Sequence, residues 1–171
     1  MSSTTVAVNR LIHQFGLHPH PEGGHYRETY RCEERVQRLS SGRASAASTA
    51  IYYLLSGEAY SAWHRIRSDE IWHFYAGCPL NVHVLDDTGQ LSTLRLGNAL
   101  DQADLVFQAV VPAKCWFAAE RTDSKGYSFV GCTVAPGFEF SEFEMADAIE
   151  LQRQYPQHAK LIERLGPVPI N

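Results

Sequence analysis

From residue 48 onward the chain runs through short apolar, β-branched and aromatic stretches: STAIYYLL, AYSAWHRI, EIWHFYA, PLNVHVL, LSTLRL, VFQAVV, CWFAAE and YSFVGCTV. Polar turn sequences separate them: SGE, RSD, DDTG, GNALDQAD, PAK and TDSKG. Short strands at near-regular spacing, with no helical period between them, predict an antiparallel β-sandwich or barrel. Upstream, period-two alternation over 25–31 sets Tyr26, Glu28 and Tyr30 against His25, Arg27 and Thr29, which adds a strand. Residues 37–47 are small and polar without a period and read as a mobile loop.

Helical patterning is confined to the ends. Val8, Leu11, Ile12 and Phe15 recur at i, i+3, i+4 and i+7, with Gly16 just beyond, so an amphipathic helix is expected to dock on a sheet. HPHPEGG at 18–24 is a turn-rich break. After the strands, APGFEFSEFEM reads as a strand bulged near Ser141. A helix is expected from Asp147, where Asp147 and Glu150 form a D-x-x-E cap, with Ser141 and Glu144 as a competing start. A last helix is expected over about 157–165, introduced by Pro156 and stopped by Gly166 and Pro167.

Composition narrows the function classes. A net charge of -4 and a pI near 6.0 lack the cationic surface that nucleic acid requires. Arg outnumbers Lys twelve to three, which leaves room for a small anionic ligand. No stretch reads as a secretory signal or a membrane span, so a cytoplasmic, soluble protein is expected. Cys32, Cys78, Cys115 and Cys132 show neither a CxxC pair nor zinc spacing and read as reduced, structural thiols.

Candidate chemistry concentrates in WHRIRSDEIWH at 63–73. If the RSD turn makes a hairpin and His64 faces inward, alternation puts Ile66 beside it and brings Glu70, Trp72 and Phe74 to the same face. An imidazole and a carboxylate would then share an aromatic pocket, an arrangement suited to general acid–base work. The structural alternative is a satisfied His–Glu pair fixing the hairpin. His73 falls on the opposite face, with a packing role.

These residues resemble the first cupin motif, G(x)5HxH(x)3–4E(x)6G, as Gly57, six residues, His64, Ile66, Glu70 and Gly77. The second motif, PxG(x)2H, matches at Pro112 alone, with Lys114 in the glycine position and Phe117 in the histidine position. PHPEGGHYRETYR, STAIYYLL, WHRIRSDEIWHFYAG and GCTVAPGFEF are similar, in order, to the cupin branch called domain of unknown function 985.

The resemblance implies an all-β, antiparallel jelly-roll barrel with short N- and C-terminal helices. One domain then spans 1–171, with helix and turn over 1–24, barrel over 25–145 and helices over 146–171. It also implies a homodimer with exchanged N-terminal strands and similarity to dTDP-sugar epimerases. Carrying over the metal positions gives His64, Ile66, Glu70 and Phe117, of which only two can ligate. No tightly bound cofactor is therefore expected, and a divalent metal would need His64, Glu70 and a substitute such as His83.

The functional expectation is a small-molecule-binding cupin. Its catalytic form is a metal-independent isomerase or epimerase acting on a sugar or another small carbonyl or acid metabolite. There His64 is the base, held by Glu70, and Tyr53, Tyr52 or Tyr60 is the acid. Arg27 or Arg65 would hold an anionic group, and Tyr52, Tyr60, Trp72, Phe74 and Phe117 would line the pocket. The competing expectations are a non-catalytic metabolite-binding module and a metal-dependent enzyme with a non-standard site.

Overall fold

The structure, a computed structural model, describes residues 3–39 and 41–167. Helix α1 (Ser3–Phe15) precedes thirteen strands: β1 (His18–Pro19), β2 (His25–Arg31), β3 (Arg35–Gln37), β4 (Ala44–Ala46), β5 (Thr49–Ser56), β6 (Ser61–Arg65), β7 (Asp69–Gly77), β8 (Leu80–Leu85), β9 (Leu91–Leu96), β10 (Gln108–Val111), β11 (Trp116–Arg121), β12 (Tyr127–Ala135) and β13 (Glu144–Met145). Helices α2 (Ala148–Gln154) and α3 (Ala159–Arg164) follow. No helix among the described residues is long and apolar enough to cross a membrane.

Two antiparallel sheets face each other, six strands in the order β1-β2-β5-β12-β7-β10 and five in the order β13-β6-β11-β8-β9. Their inner faces interdigitate around Tyr53, Leu55, Trp72, Val82, Phe117 and Val130, which the alternation of each strand turns inward. The outer faces are covered by the terminal helices. Val8, Leu11, Ile12 and Phe15 of α1 pack on Leu54 and Phe129. Leu151 of α2 and Ile162 of α3 pack with Trp63, Leu85 and Trp116 on the other sheet. The Asp147 carboxylate accepts from the amides of Ile149 and Glu150, as its capping position requires.

Three local expectations are corrected. The segment read as a mobile loop, 37–47, supplies the turn and second strand of the β3–β4 hairpin, and the Arg38 guanidinium, donating to Ser68 and Glu142, pins the hairpin end to the barrel. The bulged strand near Ser141 is instead a 3-10 turn, Phe140–Glu142, followed by β13. The RSD turn does not make a hairpin: β6 belongs to the five-stranded sheet and β7 to the six-stranded one. Ser68, buried in that turn, donates to the Pro136 carbonyl and fixes the crossing between layers.

Candidate functional site

Between the sheets lies a cavity of about 260 Å³, with buried His64, Ile66, Glu70 and Cys132 at its floor and exposed His18, Glu28, Arg31 and Phe140 towards its mouth. His64 and Glu70 do share the cavity, as expected, but from opposite layers rather than as neighbours on one face.

The carboxylate that meets His64 is Glu22, from the turn 20–24. Gly23 and Gly24 adopt φ of +113° and +72°, and a Cβ would come within 2.0 Å of the Tyr60 carbonyl at the first and 2.6 Å of the Leu54 carbonyl at the second. Only glycine lets the backbone press this close, and the press drives Glu22 into the barrel. The Glu22 Oε2 lies 3.0 Å from His64 Nε2, and Ser61 donates to Oε1 at 3.1 Å. The other ring nitrogen of His64, Nδ1, lies 2.7 Å from the Ala62 carbonyl. That carbonyl can only accept, so Nδ1 carries a proton.

Burial raises the Glu22 carboxyl, but the charge and hydrogen bond of His64 act against it, and the group is held at about 2. For His64 burial acts downward and is overcome by the charge and hydrogen bond of Glu22, so its proton affinity is raised. With Nδ1 against a carbonyl and Nε2 against a carboxylate, both of them acceptors, the pair is an imidazolium–carboxylate ion pair with both N–H groups of His64 engaged. Glu70 is different. Burial, reinforced by the charge of Glu22 and opposed by His64, pushes it up to about 7. It makes no ion pair among the described residues; the Cys132 thiol and the Trp72 indole, whose Nε1 has no well-formed hydrogen bond, lie beside it.

His20 also lines the cavity, edge-on to Tyr26 at 4.4 Å between ring centroids. Its Nδ1 accepts the Glu22 amide at 3.2 Å, and burial lowers its proton affinity. The two full cations of the cavity are already matched. Arg31 donates to both oxygens of Glu28 at 2.9 and 2.8 Å and to Glu139 at 2.9 Å, while His64 faces Glu22.

Several expected pocket residues lie elsewhere. A bulge between Glu28 and Tyr30 shifts strand parity, so Arg31 joins Tyr26 and Glu28 on the inner face. Arg27 lies outside, its guanidinium against Gly16. Tyr52 points outward to Phe15, Phe129 and Tyr75. Tyr60 donates to the Gly166 carbonyl at 2.7 Å. Tyr53 is inward but fully buried outside the cavity wall, donating to the Gly23 carbonyl at 2.8 Å. Trp72 and Phe74 belong to the packed core, and Phe117 backs the His64 ring at 4.0 Å, so none of these three lines the cavity. Arg65 pairs with Glu144 and lies over the Trp116 ring.

His73 sits on the outer face, against Thr133 and Gln108, as its parity predicts. His83 also points outward, held between Thr93 and Glu120, and cannot complete a metal site with His64 and Glu70. Ile66 and Phe117 offer no lone pair, and among the described residues no three His, Cys, Asp or Glu side chains group to hold an ion. The residues present do not fit the cupin metal site.

Glu22 and His20 carry no signal in strand periodicity. Their place beside paired glycines in HPHPEGG, within the family-like block PHPEGGHYRETYR, was the sign the sequence carried.

The family model described as Cupin superfamily (DUF985) matches residues 9–146. A hypothetical protein from Leishmania major is similar at 33% identity and TM-score 0.85, over 94% of this chain and 98% of that one. A crystal structure of a Shewanella oneidensis protein is similar at 35% identity and TM-score 0.83, over 92% and 96%. A cupin 2 domain-containing protein from Halorhodospira halophila shares the fold at 13% identity and TM-score 0.54, over 90% and 88%. A search of curated proteins gives no match.

Proposed function

The chain belongs to the Cupin superfamily (DUF985) family, and from that premise we propose that it binds a small neutral carbonyl compound of sugar type and moves a proton alpha to the carbonyl through Glu70. The observation that carries the reading is Glu70 itself, a buried carboxyl on the wall of an open cavity, without an ion-pair partner among the described residues. A group held at about 7 is half protonated at neutral pH, so it serves as base and, once protonated, as acid.

Ligand class follows from size and charge. About 260 Å³ falls just below the usual 300–1,000 Å³ range of ligand pockets, room for a monosaccharide rather than a nucleotide sugar. With Arg31 and His64 already paired, the cavity offers an anion no free full cation among the described residues. Carboxylates and histidines around the rings of Tyr26, Phe138 and Phe140 suit the hydroxyls and apolar face of a sugar.

In this reading the Glu70 carboxylate takes the proton from the carbon alpha to the carbonyl, and the C–H electron pair becomes the C=C bond of an enolate. Return of a proton from the Glu70 carboxyl restores the carbonyl. His64, with both nitrogens engaged, acts as a fixed positive charge that tempers Glu70 and orients Glu22.

The test is incubation of the protein in D2O with a panel of aldoses and ketoses, trioses to hexoses, followed by NMR of the alpha position. Deuterium uptake by at least one sugar with the wild type, and its loss in Glu70→Gln, is the expected result. Binding without uptake would make the protein a non-catalytic binding module, and equal uptake by both proteins would remove Glu70 from the chemistry.

A further inference from the structure

We propose that His20 is the hydrogen-bond donor that holds and polarises the ligand's carbonyl oxygen, presenting a neutral Nε2–H in the same cavity as the carboxyl of Glu70. The tautomer follows from the backbone. The amide of Glu22 donates to His20 Nδ1 at 3.2 Å, while the Glu22 Oε2 stands 3.6 Å from the same nitrogen, beyond hydrogen-bond reach; an amide N–H can only donate, so Nδ1 holds a lone pair and the ring proton resides on Nε2. The turn that makes this contact is closed by two further backbone hydrogen bonds, His20 N to the Gly24 carbonyl at 3.1 Å and Gly23 N to the His20 carbonyl at 3.0 Å. Backbone geometry thus selects the protonation site.

The ring is also held in place. Its side chain is 6% exposed and lies edge-on to Tyr26 at 4.4 Å, with Phe140 and Phe143 each at 6.0 Å between centroids. Among the described residues Nε2 has no protein partner, and it is not among the fully buried polar atoms that lack one, so it keeps some exposure on a ring that lines the cavity. Burial lowers the proton affinity of the ring, which keeps Nδ1 bare at neutral pH. A neutral N–H that is fixed, accessible and unpaired is a ready donor to a ligand oxygen. His64 cannot fill this role, because Ala62 and Glu22 occupy both its nitrogens.

Joined to the proposed function, on which its catalytic consequence rests, the arrangement pairs a carboxylate base with a neutral imidazole donor, a division of labour known from enolising enzymes. Glu70 removes the alpha proton, the C–H pair forms the C=C bond, and the carbonyl π pair moves onto the oxygen. The His20 N–H stabilises that oxygen by hydrogen bonding and keeps its own proton.

The experiment has two parts. In the first, 15N-histidine-labelled, chelator-treated protein is examined by NMR at pH 7 and titrated with acetohydroxamate, a planar mimic of an enediol. The expected result is an Nε2–H neutral signal for His20, assigned by its loss in His20→Gln, that shifts on binding. Affinity should fall about tenfold in His20→Ala and be largely restored in His20→Gln, whose amide can donate. An imidazolium or Nδ1–H signal, no binding of the probe to the wild type, or equal affinity in His20→Ala would overturn the assignment. In the second part, deuterium uptake by the exchanging sugar should fall about a hundredfold in His20→Ala with a smaller loss in His20→Gln. Uptake lost in Glu70→Gln but unchanged in both His20 variants removes His20 and leaves the Glu70 reading standing. No uptake by the wild type, with the tautomer and probe binding as expected, removes the Glu70 reading and leaves His20 as a ligand-binding donor.

Discussion

Glu22 Oε2 and His64 Nε2 meet at 3.0 Å inside the barrel, although one comes from a turn ahead of the first long strand and the other from the five-stranded sheet. The contact stitches the N-terminal turn to the cavity floor and fixes the charge that surrounds Glu70. Both partners are buried, so each depends on the other for compensation.

Glu22→Gln should therefore cost about 3–5 kcal/mol of stability, the usual penalty for leaving one member of a buried pair uncompensated. Urea unfolding of the two proteins at pH 7 measures it. A loss below about 1 kcal/mol would mean that solvent reaches the pair.

Stability should fall as pH rises from about 5 to 8. Glu70 binds its proton more tightly folded, at about 7, than at its ordinary 4.5, so its contribution is complete below the lower value and lost as pH climbs through the upper one. His64, also raised, acts in the same direction. Glu22, held at about 2 against an ordinary 4.5, contributes fully above that value and is lost only in acid. Glu70→Gln should remove most of this decline, worth roughly 1.4 kcal/mol per pH unit between 4.5 and about 7, and be the more stable protein at pH 8. Parallel melting curves for wild type and variant across pH 5–8 would contradict this.

Tyr53→Phe should lose the hydrogen bond to the Gly23 carbonyl and about 1 kcal/mol of stability, while leaving sugar turnover within a few-fold. Turnover abolished in a folded Tyr53→Phe protein would return this hydroxyl to the chemistry as the acid.

Chelator treatment should change neither the melting temperature nor ligand binding, because Ile66 and Phe117 stand where donors would be needed. Elemental analysis after dialysis is the check. About one metal ion per chain, lost with His64→Ala, would defeat the expectation.

A homodimer is expected because β1 is only two residues long and covers β2 at His25 and Tyr26 alone, leaving Arg27–Arg31 as an open edge with Tyr30 53% exposed. Light scattering at micromolar concentration should give twice the chain mass. A monomer there would defeat it.

The sequence by itself determined the strands of this protein and the face each turns inward. Alternation in stretches such as LNVHVL settles which side chains enter the core, and the i, i+3, i+4, i+7 pattern of α1 settles that it covers a sheet, because both are local consequences of backbone geometry. The inward face of His64 was legible for the same reason, whereas the hairpin expected to bring Glu70 beside it does not form, and the two line the cavity from opposite layers. Only the tertiary structure decided their partners. One extra residue at the β2 bulge turns Arg31 into the cavity while Arg27, at the same sequence parity, stays outside, and no period announces it. The RSD turn could close a hairpin or cross between layers, and the choice lies with Ser68, Arg38 and Pro136, which are distant in sequence. Glu22 became the partner of His64, and His20 acquired a fixed tautomer, because Gly23 and Gly24 press a turn against Tyr60 and Leu54. Long-range packing, which carries no local signature, set the chemistry of the site.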